Sequence, residues 1–379
     1  MRKLGGILVL LALLVSGIPQ VSALEVAAPS AILMDAATGT VLWENNAHEP
    51  MAPASVTKIM TLLLVMEALD AGRIGWDDTV IASDAAAAKG GSQVYLEPGE
   101  QMSMDEMLKS VVVSSANDCA TALAEHVAGS EAAFVEMMNQ RAQELGMNDT
   151  HFVNCTGLDD EPEAKEHLTS AYDIAVMSRE LLRHDAIRKY TTIWMDTVRD
   201  GQFGLSNTNK LVRFYEGTTG LKTGYTSSAG HCLSASAQRS GMELIAVVLG
   251  CSSSTDRFES AKALLDHGFA NYALVEVDPG ALDPIPVKLG MQDTVCAVPQ
   301  TTTPLLVDKN AAANITRQAQ LPDTVPAPVA EGEVLGTLMI RAGDQELARI
   351  PLVAETAVER QGLGEIYGRI LRHLCMSSS

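Results

Sequence analysis

The feature that most constrains the fold is the stretch of residues 59–69, which is apolar on nearly every side of a helix and stops before Gly72. A helix that is hydrophobic all round is buried, and a glycine just past the last turn is a common helix end. Pro53 lies shortly before the stretch, as expected near a helix start. The chain must therefore place this helix in the middle of a domain and cover it with other elements.

The segments around this helix predict a domain with strands at both ends and helices in between, of α/β (α+β) class with an antiparallel sheet. The limits of the domain are predicted as residues 24–274. A hairpin is expected over residues 30–45, and the later alternating runs predict further strands. The other predicted elements are helices over 104–128 (interrupted at 114–117), 132–145, 172–182 and 261–269, and strands at 219–224, 232–237 and 244–250.

Composition changes near Asn271, and residues 275–358 have no long helical period. Short alternating runs separated by proline and glycine predict a small all-β domain, which we expect to be a sandwich. Residues 359–379 repeat apolar side chains at helical spacing, with Arg369 and Arg372 between them. Such a helix can rest on a membrane surface or dock on the β domain, and the sequence leaves both readings open.

The N-terminus resembles a targeting segment rather than part of a fold. Arg2 and Lys3 precede the apolar residues 4–15, and residues 21–23 read small-x-small. This pattern predicts a secretory signal peptide, residues 1–23, cleaved after Ala23, so that the protein is exported to the outer face of the cytoplasmic membrane or the cell wall space. A retained membrane anchor is the alternative.

The formal net charge of −20 makes the chain a poor general binder of nucleic acid. The six cysteines form no C-x-x-C pair, and we expect buried free thiols rather than a disulfide framework. His151 with Cys155, or His231 with Cys232, could begin a metal site but lack further ligands at suitable spacing. The sequence therefore implies no metal and no organic cofactor.

Ser55 and Lys58 open the apolar helix in a Ser-x-x-Lys pattern. Residues three apart share a helix face, so the hydroxyl and the amine can meet. A serine hydroxyl is a weak nucleophile until a base removes its proton, and burial or a second cation would keep the lysine neutral enough to do so. The alternative is a surface lysine in a first helical turn, which the apolar surroundings and the helix dipole disfavour.

Two further segments supply groups that can complete a site. Ser115 and Asn117 interrupt a helical pattern, and on a loop both can face a cleft, one to relay a proton and the other to bind an amide. Lys222, Thr223 and Gly224 lie on a predicted strand, where they suit a carboxylate and a close substrate backbone. Taken alone, the first pair reads more simply as a helix N-cap and the second set as an edge strand with an exposed lysine.

The order of Ser-x-x-Lys, Ser-x-Asn and Lys-Thr-Gly is typical of penicillin-binding proteins and class A β-lactamases. Over nearly all of its mature length the chain resembles the low-molecular-mass penicillin-binding proteins, the serine-type D-Ala-D-Ala carboxypeptidases. The run 207–211 is similar to the version found in spore-forming Gram-positive bacteria. The segments that carry the resemblance are residues 53–58, 114–118, 169–173 and 220–226.

The resemblance implies a transpeptidase-like catalytic domain, a role for each residue and a reaction. Ser55 would form the acyl-enzyme, Lys58 would be the general base, and Ser115 would assist proton transfer. Asn117, Lys222, Thr223 and Gly224 would bind the substrate, a peptidoglycan stem peptide ending in D-Ala-D-Ala. The backbone N–H groups of Ser55 and Tyr225 would form the oxyanion hole.

Arg257 matches the arginine with which the family orients a carboxylate, although its segment is a weaker match and a surface arginine at a helix start is the alternative. Tyr225 stands where some relatives carry histidine. β-Lactam antibiotics would trap the serine ester. The rival functions are a β-lactamase, an endopeptidase that cuts cross-links, and a non-catalytic wall-binding protein. The chain lacks the Glu-x-x-Leu-Asn segment that a class A β-lactamase would need.

Overall fold

The computed structural model describes residues 24–160 and 162–368. The predicted signal peptide, residues 1–23, and most of the predicted tail helix, residues 369–379, lie outside the described residues. The α-helices are α1 (Lys58–Asp70), α2 (Asp84–Ala87), α3 (Met104–Val113), α4 (Asn117–Ala128), α5 (Glu131–Glu144), α6 (Ala171–Leu182), α7 (Arg188–Thr191), α8 (Leu211–Phe214), α9 (Ser254–Asn271) and α10 (Lys309–Ala312). Short 3-10 turns cover Ala54–Thr57, Pro162–Glu166 and Asp185–Ile187.

The strands up to the end of the catalytic region are β1 (Ser30–Asp35), β2 (Val41–Asn45), β3 (Thr79–Ile81), β4 (Gln101–Ser103), β5 (Met195–Val198), β6 (Phe203–Ser206), β7 (Thr218–Thr226), β8 (Gly230–Arg239) and β9 (Met242–Cys251). The strands that follow are β10 (Tyr272–Val275), β11 (Ile285–Lys288), β12 (Thr294–Val295), β13 (Ala297–Pro299), β14 (Leu305–Asp308), β15 (Ile315–Gln320), β16 (Val325–Pro326), β17 (Val334–Ala342) and β18 (Gln345–Ala354).

An antiparallel five-stranded sheet in the order β2-β1-β9-β8-β7 organises the catalytic region. Side chains alternate between its faces, so that Ile245, Val247 and Leu249 of β9 join the core formed with α1 and α6. Their neighbours on the opposite face pack with α9 in a second core. The first and last segments of this region therefore meet in one sheet, with the intervening helices on one side, as the sequence predicts.

Helix α1 is buried along its length, as the apolar run predicts. From Lys58 to Leu69 the only residue that is not buried is Glu67, which pairs with Arg141 at 2.8 Å. The helix contacts α4, α5 and α6. The longer predicted helix over 104–128 is two helices, α3 and α4, separated at residues 114–116. The predicted interruption is present, and it is one residue shorter than expected because Asn117 belongs to α4.

Strands β10 to β18 form a separate, mainly β region. Its largest sheet has the order β13-β18-β17-β15, a second sheet has the order β12-β11-β16, and β10 pairs with β14. Apolar residues from the two larger sheets, among them Val287, Leu338 and Leu352, share one core. The prediction of a small C-terminal β domain is thereby confirmed, while its limits at 275 and 358 stay predictions.

Of the five cysteines that the structure describes, four are buried free thiols, as expected. The expectation is wrong for Cys296, whose side chain is exposed because it follows the buried Val295 at a strand end. Within the described residues no helix is long and apolar enough to cross a membrane.

Candidate active site

Ser55 and Lys58 are brought together as the i, i+3 spacing predicts. Ser55 lies in the 3-10 turn that runs directly into α1, and Lys58 is the first residue of that helix. The Lys58 ammonium nitrogen Nζ lies 3.0 Å from Ser55 Oγ and donates a second hydrogen bond of 2.7 Å to the carbonyl of Thr156. Two contacts thus hold the amine against the hydroxyl.

Burial changes the chemistry of Lys58. Its side chain has no exposed surface, and loss of hydration lowers its pKa from the ordinary 10.5 to about 7, against the opposing influence of Cys155 and Asp118. At neutral pH a substantial fraction of Lys58 is therefore a free amine. An unprotonated amine at 3.0 Å from a serine hydroxyl can accept its proton.

Ser115 lies in the loop between α3 and α4 in a left-handed conformation with φ of +63°. Its hydroxyl accepts a hydrogen bond of 2.8 Å from Lys222 Nζ. The N-cap position of α4 is Ala116, and no side chain caps the helix there. The helix-cap reading of this segment is therefore wrong, and the hydroxyl contacts Lys222 instead.

Asn117 is the first residue of α4 and is 2% exposed. Its amide nitrogen Nδ2 donates to the Gly90 carbonyl at 2.7 Å, whereas its oxygen Oδ1 is buried without a hydrogen-bond partner among the described residues. The donor half of the amide is thus used within the protein, and the acceptor half is available. Asp118 next to it accepts hydrogen bonds from the backbone of Val94 and Leu96, which fixes the loop opposite.

Strand β7 is an edge strand, but its lysine is not exposed. Lys222 is 1% exposed and, besides Ser115, contacts its neighbour's carbonyl, that of Thr223, at 2.9 Å. Burial, followed by repulsion from Lys58 and Arg257, holds the pKa of Lys222 well below its ordinary value. The reading of an exposed edge lysine is therefore wrong.

The rest of β7 lies against the 3-10 turn that contains Ser55. The Thr223 hydroxyl donates to Thr208 Oγ1 at 2.7 Å. A β-carbon on Gly224 would lie 2.7 Å from the Pro53 carbonyl oxygen and 3.1 Å from the backbone nitrogen of Ser55. Only glycine permits this approach, which brings the strand edge to the turn.

Tyr225 is exposed in the structure, whereas Arg257 is buried. The Tyr225 side chain is 59% exposed and stacks on His231 with ring centroids 4.4 Å apart. Arg257 is 7% exposed and donates to the carbonyls of Gly224 and Cys232 at 3.1 and 3.3 Å, so the surface reading is wrong. Its Nε is buried without a partner among the described residues, and burial lowers the pKa of the guanidinium.

Sequence reasoning missed three contributors to the site. The Thr156 carbonyl is the second acceptor for Lys58, Thr208 contacts the Thr223 hydroxyl, and Gly157 packs directly on the turn before Ser55. Thr208 falls in a segment that already stood out in the sequence. Thr156 acts through its backbone, which no side-chain pattern reveals.

The described part of the chain contains no group of three or more His, Cys, Asp or Glu side chains placed to hold a metal ion. His231 and Cys232 are neighbours on β8 and so point to opposite faces of the sheet. The side chains of the site are instead two serine hydroxyls, the Thr223 hydroxyl, two buried lysines, a buried arginine and an amide. That set defines a serine enzyme of the acyl-transferring class.

Comparison with known proteins identifies the enzyme family within this class of serine enzymes. The model of the D-alanyl-D-alanine carboxypeptidase family matches residues 18–253, and that of the penicillin-binding protein 5 C-terminal domain matches residues 280–360. The D-alanyl-D-alanine carboxypeptidase DacF of Bacillus subtilis is 41% identical over 344 residues, covering 88% of this chain and 87% of the relative. The chain belongs to the D-alanyl-D-alanine carboxypeptidase family.

Solved structures agree with this assignment. Penicillin-binding protein 5 from Haemophilus influenzae superposes with a TM-score of 0.75 at 29% identity, covering 89% of this chain and 98% of that one. Penicillin-binding protein D2 from Listeria monocytogenes in the ampicillin-bound form has a TM-score of 0.59 at 31% identity, covering 64% and 98%. The predicted fold class and the predicted activity class, a serine-type D-Ala-D-Ala carboxypeptidase, are confirmed.

Proposed function

We propose that this protein removes the terminal D-alanine from peptidoglycan stem peptides through an acyl-enzyme on Ser55, and that β-lactams inhibit it by acylating the same serine. The observation that carries the proposal is the 3.0 Å contact between Ser55 Oγ and the fully buried amine of Lys58. The family assignment supplies the reaction class.

The proposed reaction begins with attack of Ser55 Oγ on the carbonyl carbon between the two D-alanines, while Lys58 takes the hydroxyl proton. The negative charge that develops on the carbonyl oxygen is stabilised by the backbone N–H groups of Ser55 and Tyr225. When the C–N bond breaks, the leaving D-alanine needs a proton on its nitrogen. Ser115, hydrogen-bonded to Lys222 at 2.8 Å, is placed to deliver it.

The proton that Lys58 took from Ser55 replaces the one that Ser115 gives up, so Lys58 is neutral again. Water then hydrolyses the Ser55 ester: Lys58 accepts a proton from the attacking water and returns it to Ser55 Oγ, and the shortened peptide leaves. Two features support binding of the substrate in this orientation. The unpaired Asn117 Oδ1 can accept from a substrate amide N–H. Lys222, Thr223 and the buried Arg257 offer hydrogen-bond donors along β7 that suit a terminal carboxylate.

Intact-protein mass spectrometry with a penicillin tests the acyl-enzyme. We expect a stable adduct of one penicillin mass on the parent protein and none on Ser55→Ala. An adduct that persists on Ser55→Ala, or its absence from the parent, would contradict the proposal.

Release of D-alanine from diacetyl-Lys-D-Ala-D-Ala, followed beside purified cross-linked muropeptides, tests the choice of substrate. A carboxypeptidase releases D-alanine from the small peptide and leaves cross-links intact. Faster cleavage of the cross-links would indicate an endopeptidase instead.

We also propose that the protein is exported and that its tail lies on the membrane surface. Export rests on the pattern of residues 1–23. The tail proposal rests on residues 359–379, of which residues 363–368 are helical, with Leu363 88% and Tyr367 66% exposed. Sedimentation with anionic lipid vesicles should be lost in the double variant Leu363→Ser, Tyr367→Ser of the full chain, and equal sedimentation of both proteins would refute the tail proposal.

A further inference from the structure

The peptide bond just before the nucleophile is held in an uncommon conformation. Ala54 has φ of +48°, in the left-handed region that residues with a β-carbon rarely adopt. In a trans peptide group the carbonyl oxygen and the following N–H point in opposite directions. Whatever holds the Ala54 carbonyl therefore sets the direction of the Ser55 N–H.

Two neighbours hold that carbonyl. The Thr57 hydroxyl donates to it at 2.8 Å, from within the same turn. On the far side, a β-carbon on Gly157 would lie 1.9 Å from the oxygen, so the backbone of Gly157 is packed directly against it. The carbonyl is therefore enclosed between a hydroxyl donor and a glycine.

The Thr57 hydroxyl is itself oriented by His167, which is 3% exposed. The backbone N–H of Val153 donates to His167 Nδ1 at 3.1 Å, so Nδ1 is the acceptor and the ring proton is on Nε2. Nε2 lies 2.8 Å from Thr57 Oγ1 and donates to it, which leaves the Thr57 hydrogen for the Ala54 carbonyl.

The three hydrogen bonds form a series in which each donor has one acceptor: Val153 donates to His167, His167 to Thr57, and Thr57 to the Ala54 carbonyl. His167 stays neutral across the physiological range, because burial, then His151 and Lys58, lower its pKa to about 4. The same tautomer, and with it the same direction of the series, therefore persists while Lys58 changes its protonation.

We propose that Thr57 and His167 are positioning residues for the oxyanion hole: by holding the Ala54 carbonyl they aim the Ser55 N–H at the reacting carbonyl oxygen. The inference rests on the proposed function. Neither residue needs to touch the substrate, and the effect reaches the reaction through the planar peptide between Ala54 and Ser55. Contacts made to an oxyanion stabilise the transition state more than the bound substrate, so they affect kcat more than KM.

The test compares Thr57→Val, which keeps the shape but loses the hydroxyl, with Thr57→Ser, which keeps the hydroxyl. Thr61→Val is the matched control, because Thr61 is equally buried on α1 and its hydroxyl donates to the Cys155 carbonyl at 2.6 Å. The measurements are the rate constant of acylation by a penicillin, kcat and KM for the diacetylated peptide, and the infrared stretching frequency of the acyl-enzyme ester carbonyl.

Removal of an oxyanion donor costs about 10²–10³ in kcat, so misaiming one should slow acylation by Thr57→Val about 10- to 100-fold. KM should change little, and the ester carbonyl should absorb at higher wavenumber because its hydrogen bond is weaker. Thr57→Ser and Thr61→Val should acylate within about threefold of the parent, well short of the loss of a donor.

His167→Leu supplies an independent test should Thr57→Val fail to fold. We expect His167→Leu alone to be acylated more slowly than the parent, and acylation at the parent rate would overturn the inference. Where Thr57→Val folds, combining the two should bring no further loss, because both act through one carbonyl. Independent, multiplying losses would overturn the inference. So would a Thr57→Val acyl-enzyme with an unchanged carbonyl frequency, even if acylation were slow.

The two levels of failure are distinguishable. A parent protein that forms no penicillin adduct overturns the proposed function and the inference together. A parent that is acylated normally, with Thr57→Val acylated at the same rate, overturns only the positioning role.

Discussion

Replacing Lys58 by methionine should abolish acylation and make the protein more stable. The fall of the Lys58 pKa from 10.5 to about 7 corresponds to about 5 kcal/mol at 1.36 kcal/mol per pH unit. That free energy is the cost of burying the ammonium group at neutral pH. The variant also leaves the Thr156 carbonyl without its 2.7 Å donor, which costs about 1–3 kcal/mol. The free energy of unfolding should therefore rise by about 2–4 kcal/mol at pH 7.

The pH dependence has a definite sign. Between about pH 7 and pH 10.5 the unfolded chain binds a proton at Lys58 that the folded protein does not, so the stability of the parent rises with pH relative to the variant. The advantage of Lys58→Met should shrink by about 1.4 kcal/mol per pH unit across this window. Lys222 is present in both proteins, so its own titration largely cancels.

Urea unfolding at pH 7.5 and 9.5 measures the difference in unfolding free energy between the parent and Lys58→Met. Tryptophan fluorescence follows the catalytic region, because all three tryptophans, Trp43, Trp76 and Trp194, lie there. The control is Lys109→Met. Partial burial opposes ionisation of Lys109, but hydrogen bonds to Asp105 and Asp196 prevail and raise its pKa. The stability that ionised Lys109 contributes is thus fully present below pH 10.5 and constant between pH 7.5 and 9.5. A Lys58→Met variant whose advantage does not change with pH, or that is less stable than the parent at pH 7.5, would refute the reasoning.

Three further outcomes are expected. The rate constant of acylation by a penicillin should rise with pH on an acid limb centred near pH 7, because the Lys58 amine with its pKa of about 7 must be unprotonated, and a limb centred below pH 5 would exclude Lys58 as the base. Ser115→Ala should lower kcat on the diacetylated peptide by about 10²-fold or more. It should cost only about 1–3 kcal/mol of stability, because the buried Lys222 loses one acceptor, and a larger loss of stability with retained kcat would reverse that assignment. Gly157→Ala should cost about 2–5 kcal/mol of stability and slow acylation, because the φ of Gly157 is +81° and the added carbon meets Ala54. The control, Gly146→Ala, should cost only about 1–2 kcal/mol, because Gly146 has a similar φ of +72° but no neighbour within 4 Å. Equal losses of stability in the two variants would show that the contact with Ala54 is not the cause.

The elements that the sequence predicted best are those in which local pattern and burial agree. The apolar run of α1, the hairpin β1–β2 and the interruption at residues 114–116 all appear where expected. Ser55 and Lys58 could be paired from sequence because a helical turn by itself brings residues three apart together. Limits of elements were less certain, as at α4, which begins at Asn117 and takes the asparagine into its first turn.

Other features depend on contacts between segments that are distant in the chain, and spacing cannot reveal them. Lys222 and Arg257 can be read as surface cations in sequence, yet both are buried. Lys222 reaches Ser115 in the loop between α3 and α4, and Arg257 of α9 lies against the carbonyls of Gly224 and Cys232. The Thr156 carbonyl and the path from His167 to the Ala54 carbonyl involve backbone atoms, which every residue carries. Such roles become visible only when the loops are in place.

The sequence by itself determined the pairing of Ser55 with Lys58 and the order of the two domains, because helical periodicity and the Ser-x-x-Lys spacing are local properties. Tertiary structure decided the electrostatics of the site. It removed water from two lysines more than 160 residues apart in the chain and placed them close enough for repulsion to lower the pKa of Lys222. It also set the direction of the Ser55 N–H. His167, about a hundred residues further along the chain, contacts the Thr57 hydroxyl, which in turn holds the Ala54 carbonyl.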